Sequence, residues 1–196
     1  MHRPANSSDP RGLRVTVFHP KGAQLDSLMA QLARIACVAH AFWPPTIAPP
    51  QGTELVMFSV CGDASDMELS WARQTSAPPV IALVAQESQA SLRLMQRLGA
   101  NAVLPLPLQG EGLLSAIALA RALHEQQREL QRRLQKLEQK LDSLNVLNDA
   151  KSILIRTRHV NEEQAYTLIR ERAMATRTST DQVARSIVDA NQVLGL

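Results

Sequence analysis

Leucine recurs at every seventh residue from Leu123 through Leu130 and Leu137 to Leu144, with Leu134 and Leu141 set between them. In heptad terms the first four stand at d and the other two at a. The stretch EQQRELQRRLQKLEQKLDSL holds neither Gly nor Pro and is rich in strong helix formers. A 3.5-residue period, a narrow apolar stripe and charged flanks predict a two-chain coiled coil with Leu123, Leu130, Leu134, Leu137, Leu141 and Leu144 as its dimer contacts. The alternative is one amphipathic helix laid on its own domain. About 28 residues would span about 42 Å as a helix. Gln127 and Asn148 also fall at a, where polar groups weaken the seam but fix register and partner number.

Ahead of the seam, short apolar runs alternate with helical patterns. Leu13–Phe18, Glu54–Val60, Val80–Val84 and Ala102–Leu104 read as strands, with Val38–Phe42 as a weaker fifth. Gln24–Ala36 and Ser88–Leu98 have helical periods, the latter stopped by Gly99, and Met67–Gln74 has the makings of a short helix. Leu113–Leu123 opens the last helix. Apolar strands with helices between them predict a parallel sheet covered on both faces, an α/β flavodoxin-like, doubly wound domain.

Charge and composition narrow the possibilities. Residues 1–120 carry eight basic and eight acidic groups, whereas residues 121–158 carry nine basic against five acidic. Basic charge along one helical stretch hints at a phosphate-bearing partner, although a solvated coiled-coil face explains it as simply. Cys37 and Cys61 match no metal spacing and read as small core residues of a reducing compartment. The opening MHRPANSSDPRG has no apolar run behind its charge, and the apolar runs elsewhere fall short of a membrane span. A soluble, cytoplasmic protein is expected, with no membrane association. No nucleophile–base set, phosphate loop or metal cluster is visible, so no enzyme activity, cofactor or metal is expected.

In doubly wound sheets, function gathers at the carboxyl ends of strands. There, Gly99-Ala100-Asn101-Ala102-Val103-Leu104-Pro105-Leu106-Pro107 resembles the end of a response-regulator receiver, whose members carry Gly-Ala and then Lys-Pro in this unit. The resemblance also shows what is missing. His19 and Pro20 stand where receivers have an acidic pair, Ser59 at the phosphoacceptor position, Val84 at the hydroxyl position and Leu106 at the lysine position. A magnesium ion needs clustered oxygen ligands, which these residues do not supply. Asp63 and Asp66 are two nearby loop carboxylates, not a metal site. A degenerate receiver without phosphorylation, working as a protein-binding module, is the expectation. Trp43-Pro44-Pro45 forms a stiff loop, with Trp43 either a core residue or a partner anchor. His19 and His40 have no ligand cluster and are read as structural.

The tail is short and helical. The heptad helix is predicted to run on to about His159. Asn161 with Gln164, and Ser179 with Gln182, are capping-box pairs that start two further helices. Ala165, Leu168, Ile169, Ala173 and Met174 are expected on the buried face of the first, and Val183, Ala184, Ile187 and Val188 on that of the second. Ala150, Ala165 and Ala173 are read as close-packing positions. Such a small all-α three-helix domain buries little core and needs docking or dimerisation for support.

The segment LNDAKSILIRTRHVNEEQAYTLIRERAMATRTSTDQVARSIVDA resembles the ANTAR domain, on Ala150-Lys151, the RTRHVNEEQA turn, Ala165-Tyr166, Leu168-Ile169-Arg170, Ala173-Met174, Val183-Ala184 and Ile187-Val188. A pseudo-receiver, a coiled coil and an ANTAR domain in series, with the Trp-Pro-Pro loop, are similar to the amidase-type antiterminators of that family. The resemblance implies a dimer that binds hairpin-bearing leader RNA to prevent termination in a catabolic operon. It also implies a periplasmic-binding-protein-like ligand sensor as negative regulator. Lys151, Arg156, Arg158, Arg170, Arg172 and Arg177 would supply charge, and Tyr166, the only tyrosine, would stack or pack. The expected division is a receiver-like domain over 1–120, a dimerisation helix over 121–147 and an ANTAR domain over 148–196. A DNA-binding transcription regulator and a coiled-coil adaptor for a sensor are the alternatives.

Overall fold

A computed structural model describes residues 9–61, 69–108 and 111–194. The chain divides into two compact units, Met1–Glu129 and Leu130–Leu196.

The first unit is built on five parallel strands, β1 (Arg14–Phe18), β2 (Val38–Phe42), β3 (Leu55–Ser59), β4 (Val80–Val84) and β5 (Ala102–Pro105), in the order β2-β1-β3-β4-β5. This is the flavodoxin-like order. Successive side chains alternate between faces, so each central strand feeds two cores. Val15, Val17, Leu55, Met57, Ile81 and Leu83 face α1 (Ala23–Arg34) and the start of α3 (Leu113–Arg158). Phe18, Val56, Phe58, Val80 and Ala82 face α2 (Gln89–Leu98) and a 3-10 turn. Both faces being covered explains why every position of β3 and β4 is buried, with Ser59 the one polar residue among them.

The weak fifth strand is present as the edge strand β2, with Val38 and Phe42 partly exposed and His40 on the surface. The helix expected over Met67–Gln74 is instead a 3-10 turn at Ser70–Arg73, and residues 62–68 lie outside the described region together with Asp63 and Asp66. That turn buries Trp71, the tryptophan that enters the core, while Trp43 is only half-buried. Ser88 caps α2 through a reciprocal box with Ser91, and Gly99 closes it at φ 59° in the left-handed region. Cys37 and Cys61 are free thiols packed at the margins of the two cores.

α3 runs unbroken for 46 residues. Counting the heptad backwards from Leu123 places Leu113, Ala116 and Ala120 at a, d and a, and all three are buried against the sheet. Leu123 is 37% exposed, and the leucines from Leu130 to Leu144 are 52–61% exposed. One seam thus packs on its own domain over its first two turns and is open to solvent beyond.

In the second unit, the end of α3 packs with α4 (Glu162–Thr176) and α5 (Thr180–Leu194). Both expected capping boxes form. Asn161 accepts from the Gln164 backbone at 2.8 Å while Gln164 Oε1 accepts from the Asn161 backbone at 3.0 Å, and Ser179 and Gln182 repeat the exchange. Ala150, Ala165, Ile169 and Ala184 are wholly buried, so small side chains let the helices approach. Leu168 and Met174, expected on the buried face of α4, are 38% and 64% exposed. Ala165, Ile169 and Ala173 already fill the narrow contact, and the other two lie on opposite flanks of it.

Candidate nucleic-acid interface

At the carboxyl ends of the strands, the positions that carry chemistry in receivers are packed shut. His19 follows β1, Ser59 ends β3, Val84 ends β4 and Leu106 follows β5, and each is no more than 7% exposed. The His19 Nδ1–H is satisfied by the Pro20 carbonyl at 2.7 Å, the role of a structural histidine. Among the described residues no cluster of three or more His, Cys, Asp or Glu side chains could hold a metal ion.

The basic residues of the second unit fall into three groups. Lys151 is mostly buried and bonded to Glu162 at 2.6 Å; the lysine's hydrogen bond and charge hold the Glu162 carboxyl below its ordinary range. Arg156 donates to Asn191 Oδ1 at 3.1 Å. These two cations are committed to internal contacts.

Arg158 and Arg172 are brought together. They line one groove of about 890 Å³ among the end of α3, α4 and α5, and neither makes a hydrogen bond or ion pair among the described residues. The buried Ile169 and Val183 line it, as do Thr178 and Ser186, whose hydroxyls bond Thr176 and the Gln182 carbonyl. Both arginines are exposed, so they present full charge to solvent.

Tyr166, Arg170 and Arg177 stand elsewhere. At about 100° per residue, Tyr166 and Arg170 share one flank of α4 and Arg172 lies about 120° around from Tyr166. Tyr166 is 44% exposed, which leaves its ring accessible to stacking. Arg177 is the C-cap of α4 at φ 53°. The sequence-predicted set is therefore divided between a groove and a flank.

Arg185 also lines the groove and was not among the sequence candidates. Its guanidinium bonds Asp142 on α3 and, at 3.2 Å, Asp181 one turn earlier on α5. Hydrogen bonds from Ser143 and Arg185 lower the Asp181 carboxyl below its ordinary value. Arg185 thus ties α5 to α3 and adds little net charge to the groove. The Asp181–Arg185 spacing of four residues was the available sequence signal, but nothing local pointed to Asp142.

Comparison with known proteins agrees with this architecture. The family described as AmiR, N-terminal, matches residues 13–121, and the ANTAR domain matches residues 135–188. The aliphatic amidase regulator of Pseudomonas aeruginosa is 27% identical over 180 residues, covering 91% of this chain and 92% of that protein. The solved response regulator StyR is 14% identical with a TM-score of 0.50, covering 90% of this chain and 98% of its own, a likeness of fold alone. Among the described residues no helix is long and apolar enough to cross a membrane. A receiver-like sheet whose phosphorylation positions hold His, Ser, Val and Leu, followed by a leucine-striped helix and a capped helical tail, belongs to the AmiR N-terminal family of transcription antiterminators that end in an ANTAR domain.

Proposed function

We propose that this protein is an RNA-binding antitermination regulator of a catabolic operon, working as a homodimer in the cytoplasm and governed by a protein sensor rather than by phosphorylation. The observation that carries the reading is the pairing of two uncommitted arginines, Arg158 and Arg172, on one groove of an ANTAR domain. Leader RNA with hairpins supplies phosphates for such cations and unpaired bases for Tyr166. Lys151 and Arg156 act through the fold, holding α4 and α5 in place, while Arg170 and Arg177 extend the basic surface. Residues 1–120 form the sensor-binding module, 121–147 the dimerisation helix and 148–196 the RNA-binding domain.

Two domains held on one zipper engage linked hairpins together, and avidity offsets a weak field: residues 145–196 carry seven basic and six acidic groups. A receiver with no carboxylate pair to hold magnesium takes its input from a protein. The relative's regulation of an aliphatic amidase supports a catabolic operon and a periplasmic-binding-protein-like sensor that responds to a small ligand.

Electrophoretic mobility shift with hairpin leader RNA against promoter duplex tests the reading. Tight binding of the RNA, lost in R158E/R172E at unchanged helicity, is expected. Preference for the duplex identifies a DNA-binding regulator instead. Indifference to both nucleic acids identifies a coiled-coil adaptor.

A further inference from the structure

Within the second unit, the charge of α3 is sorted by side. From Arg132 to Leu147, positions c, f and g hold Arg132, Arg133, Lys136 and Lys140 and no acid, whereas Glu138 and Asp142 stand at e and b. At about 100° per residue the four cations fall within about 100° of arc. A helix face that is merely solvated gains from mixing both signs at i,i+4, which this strip does not do.

Lys136 and Lys140 also line a groove of about 520 Å³ between α3 and the first turn of α5, together with Gln139, Ser143, Thr180 and Asp181. Both lysines are exposed, and neither makes a hydrogen bond or ion pair among the described residues. The Asp181 carboxylate is already met by Arg185, so it does not cancel them. The start of α5 serves this groove and the arginine groove alike, with Thr180 and Asp181 in the one and Gln182 and Arg185 in the other.

The two grooves are in phase along α3. Lys140 and Arg158 are eighteen residues apart on an unbroken helix, which is five whole turns, so they share a face about 27 Å apart. Lys136 and Leu154, one from each groove, repeat the spacing. Two pairs of uncommitted cations at that distance fit an extended polyanion rather than a small ligand. Arginine stacks on bases as well as pairing with phosphate, whereas lysine is a compact point charge suited to phosphate alone. RNA helices are held through their backbone and 2′-hydroxyls, for which the Gln139 amide and the Thr180 hydroxyl are partners.

We infer that Lys136 and Lys140 form a second phosphate-binding site, which holds the stem of an RNA hairpin whose loop sits at Arg158 and Arg172. The inference rests on the RNA-binding reading above and assigns the part of the hairpin that each groove takes.

Fluorescence anisotropy tests it, with the full-length protein and a leader hairpin carrying either its complete stem or a stem shortened beneath the same loop. K136Q/K140Q removes two charges and keeps good helix formers. On the complete stem it is expected to bind about tenfold more weakly at physiological salt and to lower the slope of log affinity against log salt by about 1.8, the share of two phosphate contacts. On the shortened stem it is expected to match the wild type. K136R/K140R is expected to keep wild-type affinity, and K21Q/R34Q, which removes the same charge from the first unit, to leave the slope unchanged. Wild-type affinity and slope in K136Q/K140Q on the complete stem overturn the second site and leave the RNA reading standing. Equal losses on both hairpins overturn the assignment to the stem. An equal loss in K21Q/R34Q reduces the effect to net charge and overturns the site as well. A wild-type protein that binds neither hairpin overturns the RNA reading, and this site falls with it.

Discussion

Asn101 and Gln127 join the sheet to the helix that leaves it. The Asn101 side-chain amide donates to Gln127 Oε1 at 3.1 Å, while its oxygen accepts from the Val80 backbone at 2.9 Å. One short side chain therefore closes the backbone ladder at the start of β4 and holds α3 two turns past Ala120. The a position that sequence assigns to register control is engaged within the chain. Asn101→Ala is expected to cost about 1–2 kcal/mol, mostly from the orphaned Val80 N–H, and Gln127→Ala less than half of that. Urea unfolding of the two variants checks the order.

Leu137 is 57% exposed and touches neither core cluster of the first unit nor that of the second. Leu137→Asp is expected to leave the helical circular dichroism signal nearly intact and shift sedimentation from dimer to monomer. Loss of most helical signal would instead assign Leu137 a role in folding the single chain.

The start of α4 depends on the reciprocal Asn161–Gln164 box. Asn161→Ala is expected to lose about 1 kcal/mol, and Asn161→Asp to retain most of the stability by keeping the acceptor and complementing the helix dipole. Thermal unfolding of the second unit's transition gives the comparison.

Ala184 is wholly buried in the contact among α3, α4 and α5. Ala184→Leu forces these helices apart and is expected to cost about 1–3 kcal/mol. The same substitution at Ala175, on the exposed side of α4, is expected to leave stability unchanged.

Acid should loosen the second unit through its carboxylates. Glu162 and Asp181 both titrate below their ordinary values in the folded chain, the first through Lys151 and the second through Ser143 and Arg185. A depressed carboxylate contributes stability that is present above its unfolded value and lost as pH falls through the folded one. Melting temperature is therefore expected to decline as pH drops below the usual carboxylate range, and Glu162→Gln to flatten that decline. An unchanged profile in the variant would show that the Lys151–Glu162 pair is without weight.

Much of the fold was legible because its signals are local. The apolar runs of β1, β3 and β4, the caps at Asn161 and Ser179, and the stop at Gly99 each depend on a few neighbouring residues. The 3-10 turn at Ser70–Arg73 was read as a helix because burial of Trp71 is a tertiary effect that overrides a short helical pattern. Leu168 and Met174 were assigned inward because apolarity alone does not show how narrow a contact between alanine-lined helices is. For the candidate interface, residue types were readable but grouping was not. Sequence could not show that Lys151 and Arg156 are spent on Glu162 and Asn191, that Arg158 and Arg172 converge, or that Arg185 reaches Asp142 across 43 positions.

The shared seam of α3 sets a rule for how such a chain can change length. Leu113, Ala116 and Ala120 pack against the sheet, and the leucine stripe from Leu130 onward continues the same heptad in sequence. A single residue inserted between Ala120 and Leu130 shifts the heptad phase by about 100°, whereas seven shift it by only about 20°. Viable insertions and deletions in this stretch should therefore come in whole heptads, and a family alignment across it should show gaps quantised in sevens.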